Sequence, residues 1–598
     1  MDKIRDRSEI PIADKWAIED LYATDAAWEQ DLSTIAQDKV ALSAFAGRLA
    51  ESGQTLYDYL YKSEMTDVKA SRLGNYCMRK SDEDTRNATY QAMTGRFSSV
   101  MVDLGSGLSF DTPEIMAITD EQLDSFYAAC PKLERYRRYL TNLRRKREHI
   151  LSPVEEKLLA AAGELSQAPD TIYGMFADAD LKFEDALDAD GNAHTVKQAT
   201  FVPLQNSSDR VLRKNAYESL YKGFGDFKNT AASILDAQNK QMKFFAQARK
   251  YENAFEASLN NTNVPTSVYL NLIETVHKNM DKMHRYVRLR KKLLGLEELH
   301  FYDIYAPLVA DVDKKISFDE AKQTVYDALA PLGEDYRTIL KAGFENRWID
   351  VYPNIGKRSG AYSAGAAVHP YVLLNFSGTL DSQFTLAHEM GHALHSYLSN
   401  KHQNPIDAHY VIFVAEVAST CNEALMMEYL LNKTTDKKER MYLINHFLEQ
   451  FKGTLYRQTM FAEFELNIGK MVAQGQTLTA DDLCAEYRRL NEEYFGPDMV
   501  VDDEIAMEWA RIPHFYYNYY VFQYATGYAA AIALSRRILQ EGEKAVKDYL
   551  DFLSGGCSKS PIDLLKGAGV DMTGPEPVEA ALELFSQLLD EMEELAGE

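Results

Sequence analysis

Residues Thr385-Leu-Ala-His388-Glu389-Met-Gly-His392-Ala-Leu-His395 place two imidazoles four positions apart, with a glutamate directly after the first. A helix is the local structure that uses all three. There His388 and His392 stand one turn apart on a single face and can share one zinc ion, while Glu389 projects beside it as a general base. The flanks are largely apolar and helix-forming, as expected of a buried helix rather than a solvated one. The motif points to a zinc hydrolase, most simply a peptidase.

Catalytic zinc takes three protein ligands and leaves its fourth position to water, so a third ligand is needed. Between His392 and residue 420 the candidates are His395, His402, Asp407, His409 and Glu416. Glu416 is the first glutamate after Glu389 and lies in the apolar stretch from Val411 to Glu428, which reads as a buried helix with Glu416 and Glu423 on one face. A carboxylate is costly to bury unless paired or metal-bound, which favours Glu416. His395 shares the face of His388 and His392, but its Cα is about 10 Å along the axis from that of His388. It remains the main rival, and is otherwise a core histidine or a support for a ligand. Glu423 is the expected acceptor for a ligand imidazole N–H.

The residues beyond the motif exclude two zinc-peptidase classes. A metzincin would carry a glycine three residues after the second histidine and a third histidine three beyond that, where this chain has His395 and Leu398. No Gly-x-Met-Glu-Asn stretch, of the kind that holds a free peptide N-terminus, is present.

Amphipathic helical patterns run through nearly the whole chain, so the fold is expected to be mainly α. Ala179–Phe183 and Ala193–Val196 around Asp190-Gly191 read as a short hairpin, and the boundary of an N-terminal helical region, 1–200, from a catalytic region, 201–598, is placed just after it. Four segments rich in aromatic and β-branched residues, His300–Tyr305, Trp348–Tyr352, Ser359–Ser363 and Tyr371–Phe376, read as a small sheet just before the zinc helix. An edge strand there could pair with an extended peptide through its backbone, with Gly360, Ala361 and Tyr362 as the candidate segment; otherwise these glycines only serve turns. The run from His514 to Tyr528 places Tyr517, Tyr520 and Tyr524 at helical spacing with His514. Such a stripe is commonly core packing, but buried phenols need hydrogen-bond partners, which favours a polar cleft.

The formal charge of −25 argues against a nucleic-acid partner, and the short Arg144-Arg-Lys-Arg147 cluster reads as a solvated helix face. Five cysteines without CxxC spacing suit neither a disulfide framework nor a cysteine zinc site, which points to a reducing compartment. The start has no apolar signal core and no run approaches the ~18 apolar residues of a membrane span, so a cytoplasmic protein without a membrane partner is expected.

Taken together, Phe384–His395, Phe413–Glu428, Ile512–Tyr528, Trp16–Tyr22, Leu151–Leu159, Gly356–Ser363 and Ala568–Pro577 closely resemble the oligoendopeptidase F branch of the thimet oligopeptidase family. The resemblance implies a large two-lobed helical body enclosing a channel, with the site inside it and short, unfolded peptides as substrates. It also implies that His514 and one or more of Tyr517, Tyr520 and Tyr524 donate hydrogen bonds to the bound peptide and the oxyanion. The expected activity is internal cleavage of oligopeptides with zinc held by His388, His392 and Glu416 and with Glu389 as base. The alternatives are an exopeptidase using the same site, which would need a clamp for a chain end, and a peptide-binding protein with a structural zinc, against which Glu389 speaks.

Overall fold

The computed structural model describes residues 4–309 and 315–597. Helices account for 72% of the structure, so the mainly α expectation holds. The helices that position functional residues are, in chain order, α1 (Gly53–Glu83), α2 (Lys228–Ala248), α3 (Gly333–Glu345), α4 (Leu380–His402), α5 (Ile412–Lys433), α6 (Arg457–Ala473) and α7 (Phe522–Glu541). Several begin at a capping side chain: Ser52 accepts from the Thr55 N–H at 3.1 Å before α1, and Thr379 from the Ser382 N–H at 3.2 Å before α4.

The strands are short and fall into three small sheets. β1 (Ala186–Leu187) pairs with β2 (Ala193–His194) as an antiparallel hairpin, and β3 (Leu299–His300) pairs in parallel with β7 (Met499–Val500). The third sheet has the order β4-β6-β5, with β6 (Tyr371–Leu373) parallel to β4 (Ile349–Asp350) and antiparallel to β5 (Tyr362–Ala364). It lies just before α4 in the chain, as expected.

Two strand expectations need correction. The first hairpin strand is Ala186–Leu187, because Ala179 and Asp180 finish a π-helical turn and the bend is drawn together by Asp188, whose carboxylate accepts the Asp190 and Asn192 N–H groups at 3.0 and 2.8 Å. His300–Tyr305 does not join the third sheet: after β3 the chain enters a 3-10 turn, Phe301–Asp303, and its aromatic side chains are buried in helical packing.

The described residues divide into two compact units, each built from three stretches of chain. Residues 1–148, 314–426 and 534–569 form the first unit, and 149–313, 427–533 and 570–598 the second. The boundary expected near residue 200 falls inside the second unit, because segments far apart in sequence pack together in each. In the first unit Trp16, Leu21, Tyr22 and Trp28 share one core with Leu73 and Tyr76 of α1 and with Tyr371 and Leu373 of β6. The Trp16 indole N–H donates to Glu83 at 2.7 Å, and Lys357, buried after β4, pairs with Asp350 at 2.7 Å.

Candidate metal centre and aromatic loop

The candidate metal-binding cluster belongs to the first unit and rests on the close approach of α4 and α5. His388 and His392, one turn apart on α4, have ring centroids 4.8 Å apart. Their Nε2 atoms lie 3.3 and 3.4 Å from the same Glu416 oxygen on α5. A tetrahedral ion with donors at about 2.0–2.1 Å holds those donors about 3.3–3.4 Å from one another, so the three side chains fit a zinc ion. Glu389 Oε2 is buried and has no hydrogen-bond partner among the described residues, as suits a base whose partner is a water molecule or substrate.

Gly391, inside the motif, makes this approach possible. A Cβ there would lie 2.6 Å from the Ser419 Cα and 2.7 Å from the Ala418 carbonyl oxygen, both backbone atoms of α5. Asn422 fastens the same helices, donating to the Ala387 carbonyl at 3.1 Å while accepting from the Tyr336 hydroxyl of α3 at 2.9 Å. Glu423 lies 3.1 Å from His388 Nδ1, where it can accept that N–H while Nε2 faces Glu416. The Ser419 hydroxyl donates to Glu416 at 3.1 Å.

Burial and the neighbouring carboxylates and imidazoles shift the pKa values of His388, Glu389 and Glu416. Burial opposes charging of His388, but Glu423 and Glu416 outweigh it and carry its pKa well above the imidazole value. Burial alone would raise the Glu416 pKa, yet the two histidines hold it far below the carboxylate range. For Glu389 burial prevails and raises the pKa, the direction a general base near neutral pH needs. His395 does not join the cluster. It is 1% exposed, stacks on Tyr410 with centroids 3.8 Å apart, and burial together with nearby His392 lowers its pKa to about 3.

Of the edge-strand candidates, Gly360 and Ala361 precede β5 and Tyr362 opens it. Gly360 has φ +80°, a left-handed conformation, and its carbonyl accepts from Asn375 at 2.7 Å, so the turn explanation applies to this residue. Tyr362 points its ring toward Trp16 and donates to Asp82 of α1 at 2.6 Å. β5 is an edge strand among the described residues and continues into Gly365, where a Cβ would come within 3.0 Å of Ser396 on α4.

His514 and the three tyrosines belong to the second unit, and they do not share a helical face as their spacing suggests. Pro513–Tyr516 is a 3-10 turn, the next residues form an irregular loop, and α7 starts only at Phe522. Asn518 and Tyr519 both adopt left-handed backbone, with φ +57° and +59°, at a cost of order 1–3 kcal/mol for each non-glycine residue. The rings nevertheless gather. His514 lies 5.5 Å from Tyr517, 6.4 Å from Tyr520 and 6.0 Å from Tyr524, centroid to centroid. These four are partly accessible, whereas Phe515, Tyr516, Tyr519 and Phe522 are buried. Burial lowers the His514 pKa, so the ring is neutral near pH 7 and carries one N–H.

Residues 203–584 match the model of Peptidase family M3, and residues 114–183 a second model described as Oligopeptidase F. The chain is 46% identical to Oligopeptidase PepF of Bacillus subtilis over 594 residues, covering 99% of this chain and 89% of that protein. It is 36% identical to the crystal structure of oligoendopeptidase-F from Enterococcus faecium, with a TM-score of 0.76 over 96% of this chain and 99% of that one. A solved protein from Chlamydophila abortus is 35% identical, with a TM-score of 0.93 over 99% of this chain and 100% of that one.

Proposed function

Because the chain belongs to peptidase family M3 and is a metalloendopeptidase that cleaves oligopeptides, we propose that its ion is zinc, held by His388, His392 and Glu416, and that Glu389 is its general base. The observation that carries this reading is the convergence of both imidazoles on one Glu416 oxygen, at 3.3 and 3.4 Å, beside the unpartnered Glu389 carboxyl oxygen. Zinc bound there supplies Lewis acidity toward the scissile carbonyl and eases ionisation of a water molecule.

Glu389 takes the proton of the water that attacks the carbonyl carbon and passes it to the departing amine. Glu423 keeps the His388 ring oriented through Nδ1, and Ser419 steadies Glu416. His514 and one or more of Tyr517, Tyr520 and Tyr524 donate hydrogen bonds to the peptide and to the oxyanion, each donor contributing a few kcal/mol. Their partial accessibility in a run whose other rings are buried supports this role. β5 from Tyr362 onward offers backbone groups to an extended peptide, which fixes the scissile bond without reading side chains.

Substrates on this reading are short, unstructured peptides that enter an enclosed channel, with the ends of the peptide unread. No helix among the described residues is long and apolar enough to cross a membrane, and the five cysteines, all free, suit the reducing cytoplasm. Incubation of the zinc-loaded enzyme with an oligopeptide, its N-acetylated and C-amidated form, and a stable globular protein tests the proposal. Internal cuts in both peptides and an intact protein are expected. Stepwise release of terminal residues, or ready digestion of the folded protein, would overturn it.

A further inference from the structure

The aromatic loop is held in its unfavourable conformation by groups that no step of the reaction uses. The Tyr519 N–H donates to Glu465 of α6 at 3.1 Å. Gln238 of α2 donates to both the Tyr516 carbonyl, at 3.1 Å, and the Asn518 side chain, at 2.9 Å. The Tyr519 hydroxyl occupies the place that a Cβ on Gly469 would take, only 2.0 Å away, and the ring packs against Phe255 and Tyr269. The chain bends through two consecutive left-handed residues between Tyr517 and Tyr520, with the Tyr519 ring buried and its neighbours gathered around His514.

Glu465 is the unexpected member of this set. It is 4% exposed, its second oxygen has no hydrogen-bond partner among the described residues, and no cation among them acts on it. An apolar residue would fill the space at lower cost, so the carboxyl is retained for the one contact it makes.

We propose that Glu465 is a positioning residue for catalysis: by accepting the Tyr519 N–H it fixes the left-handed pair and thereby sets Tyr517 and Tyr520 against His514. The proposal rests on the reading that these rings act on the substrate. Burial pushes the Glu465 pKa up to about 8, so near pH 7 the group is largely an uncharged acceptor, which a glutamine reproduces and a leucine does not.

The test compares Glu465→Leu and Glu465→Gln in the full-length, zinc-loaded enzyme and in a His514→Ala background, with kcat and KM measured on an internally quenched peptide and zinc content measured alongside. Misplacement of reacting groups by about 1 Å costs up to about a hundredfold, so Glu465→Leu should lower kcat about ten- to a hundredfold, with a smaller rise in KM and zinc content little changed. Glu465→Gln should restore most of the rate. In the His514→Ala background the leucine should cost much less, because the ring against which Tyr517 and Tyr520 are set is already gone. Gly469→Ala displaces the same ring by another route and serves if the leucine variant does not fold; its loss should likewise depend on His514. Equal losses in both backgrounds, or a fully active Glu465→Leu, would overturn the positioning role. A fully active His514→Ala would overturn the reading of the aromatic cluster and the proposal with it, whereas an inactive His514→Ala beside a fully active Glu465→Leu would overturn the proposal alone.

Discussion

Gly391→Ala isolates the close approach of α4 and α5 from the chemistry of the ligands. The added methyl would sit 2.6 Å from the Ser419 Cα, short of ordinary contact at 3.4 Å by 0.8 Å, and 2.7 Å from the Ala418 carbonyl oxygen. Both are backbone atoms, so no rotamer change relieves the clash and the helices must part. Metal–ligand distances tolerate only about 0.2 Å, and Glu416 is three residues from Ser419 on the helix that moves. Overpacking costs about 1–3 kcal/mol, which outweighs the ~1 kcal/mol that alanine gains over glycine in a helix. The expected result is a zinc affinity lower by about ten- to a hundredfold, the range seen when ligand support is disturbed, together with a lower Tm in the zinc-free protein. Zinc competition against a chelator measures the first and thermal unfolding the second. Gly95→Ala is the control: it lies in a helix, is exposed, and a Cβ there has no neighbour within 4 Å, so it should hold or raise Tm. If Gly391→Ala binds zinc as tightly as the parent and melts no earlier, the argument that this glycine sets the helix spacing fails.

The same geometry makes further outcomes testable. Glu389→Gln should keep stoichiometric zinc while losing about a hundred- to ten-thousandfold in kcat, read by metal analysis and peptide hydrolysis. Glu416→Ala should lower zinc content, whereas His395→Ala, outside the cluster, should retain it; the reverse ranking would transfer the ligand role to His395. Glu423→Gln should weaken zinc binding by about ten- to a hundredfold although Glu423 stands behind the ligand ring, measurable by chelator competition. Removing the metal with a chelator should abolish hydrolysis and lower Tm, both restored by added zinc, and a protein that stays active after exhaustive chelation would refute metal catalysis.

The part legible in the sequence is the part that short-range spacing controls. Helix periodicity gives the mainly α class, and His388, Glu389 and His392 are positioned by one turn of α4. The proposed third donor requires a physical argument about burying charge, since nothing local ties Glu416 to a motif 24 residues earlier. The composition of the two units is not legible, because each depends on contacts among three distant stretches. Aromatic and β-branched density misleads at His300–Tyr305, where the same residue types serve packing between helices. Spacing does not single out Gly391 or Asn422, although a glycine inside an apolar helix pattern carries a signal: it costs stability unless a neighbour comes too close for any side chain.

The aromatic loop shows that side chains grouped by residue spacing can gather in space for a different physical reason. Spacing groups Tyr517, Tyr520 and Tyr524 with His514 only along a continuous helix, and no helix runs through them. They gather where the chain bends through two left-handed residues, and of those only Asn518 belongs to a type that adopts this conformation readily. Tyr519 does so because Glu465 accepts its N–H, Gly469 leaves room for its hydroxyl, and Phe255 and Tyr269 hold its ring. The information that sets these rings is therefore written elsewhere in the chain, at Glu465 and Gly469 of α6 and, much earlier, at Phe255 and Tyr269. A loop specified in that way can hold hydrogen-bond donors in place before a substrate arrives, whereas a loop following its own preferences would have to be ordered on binding.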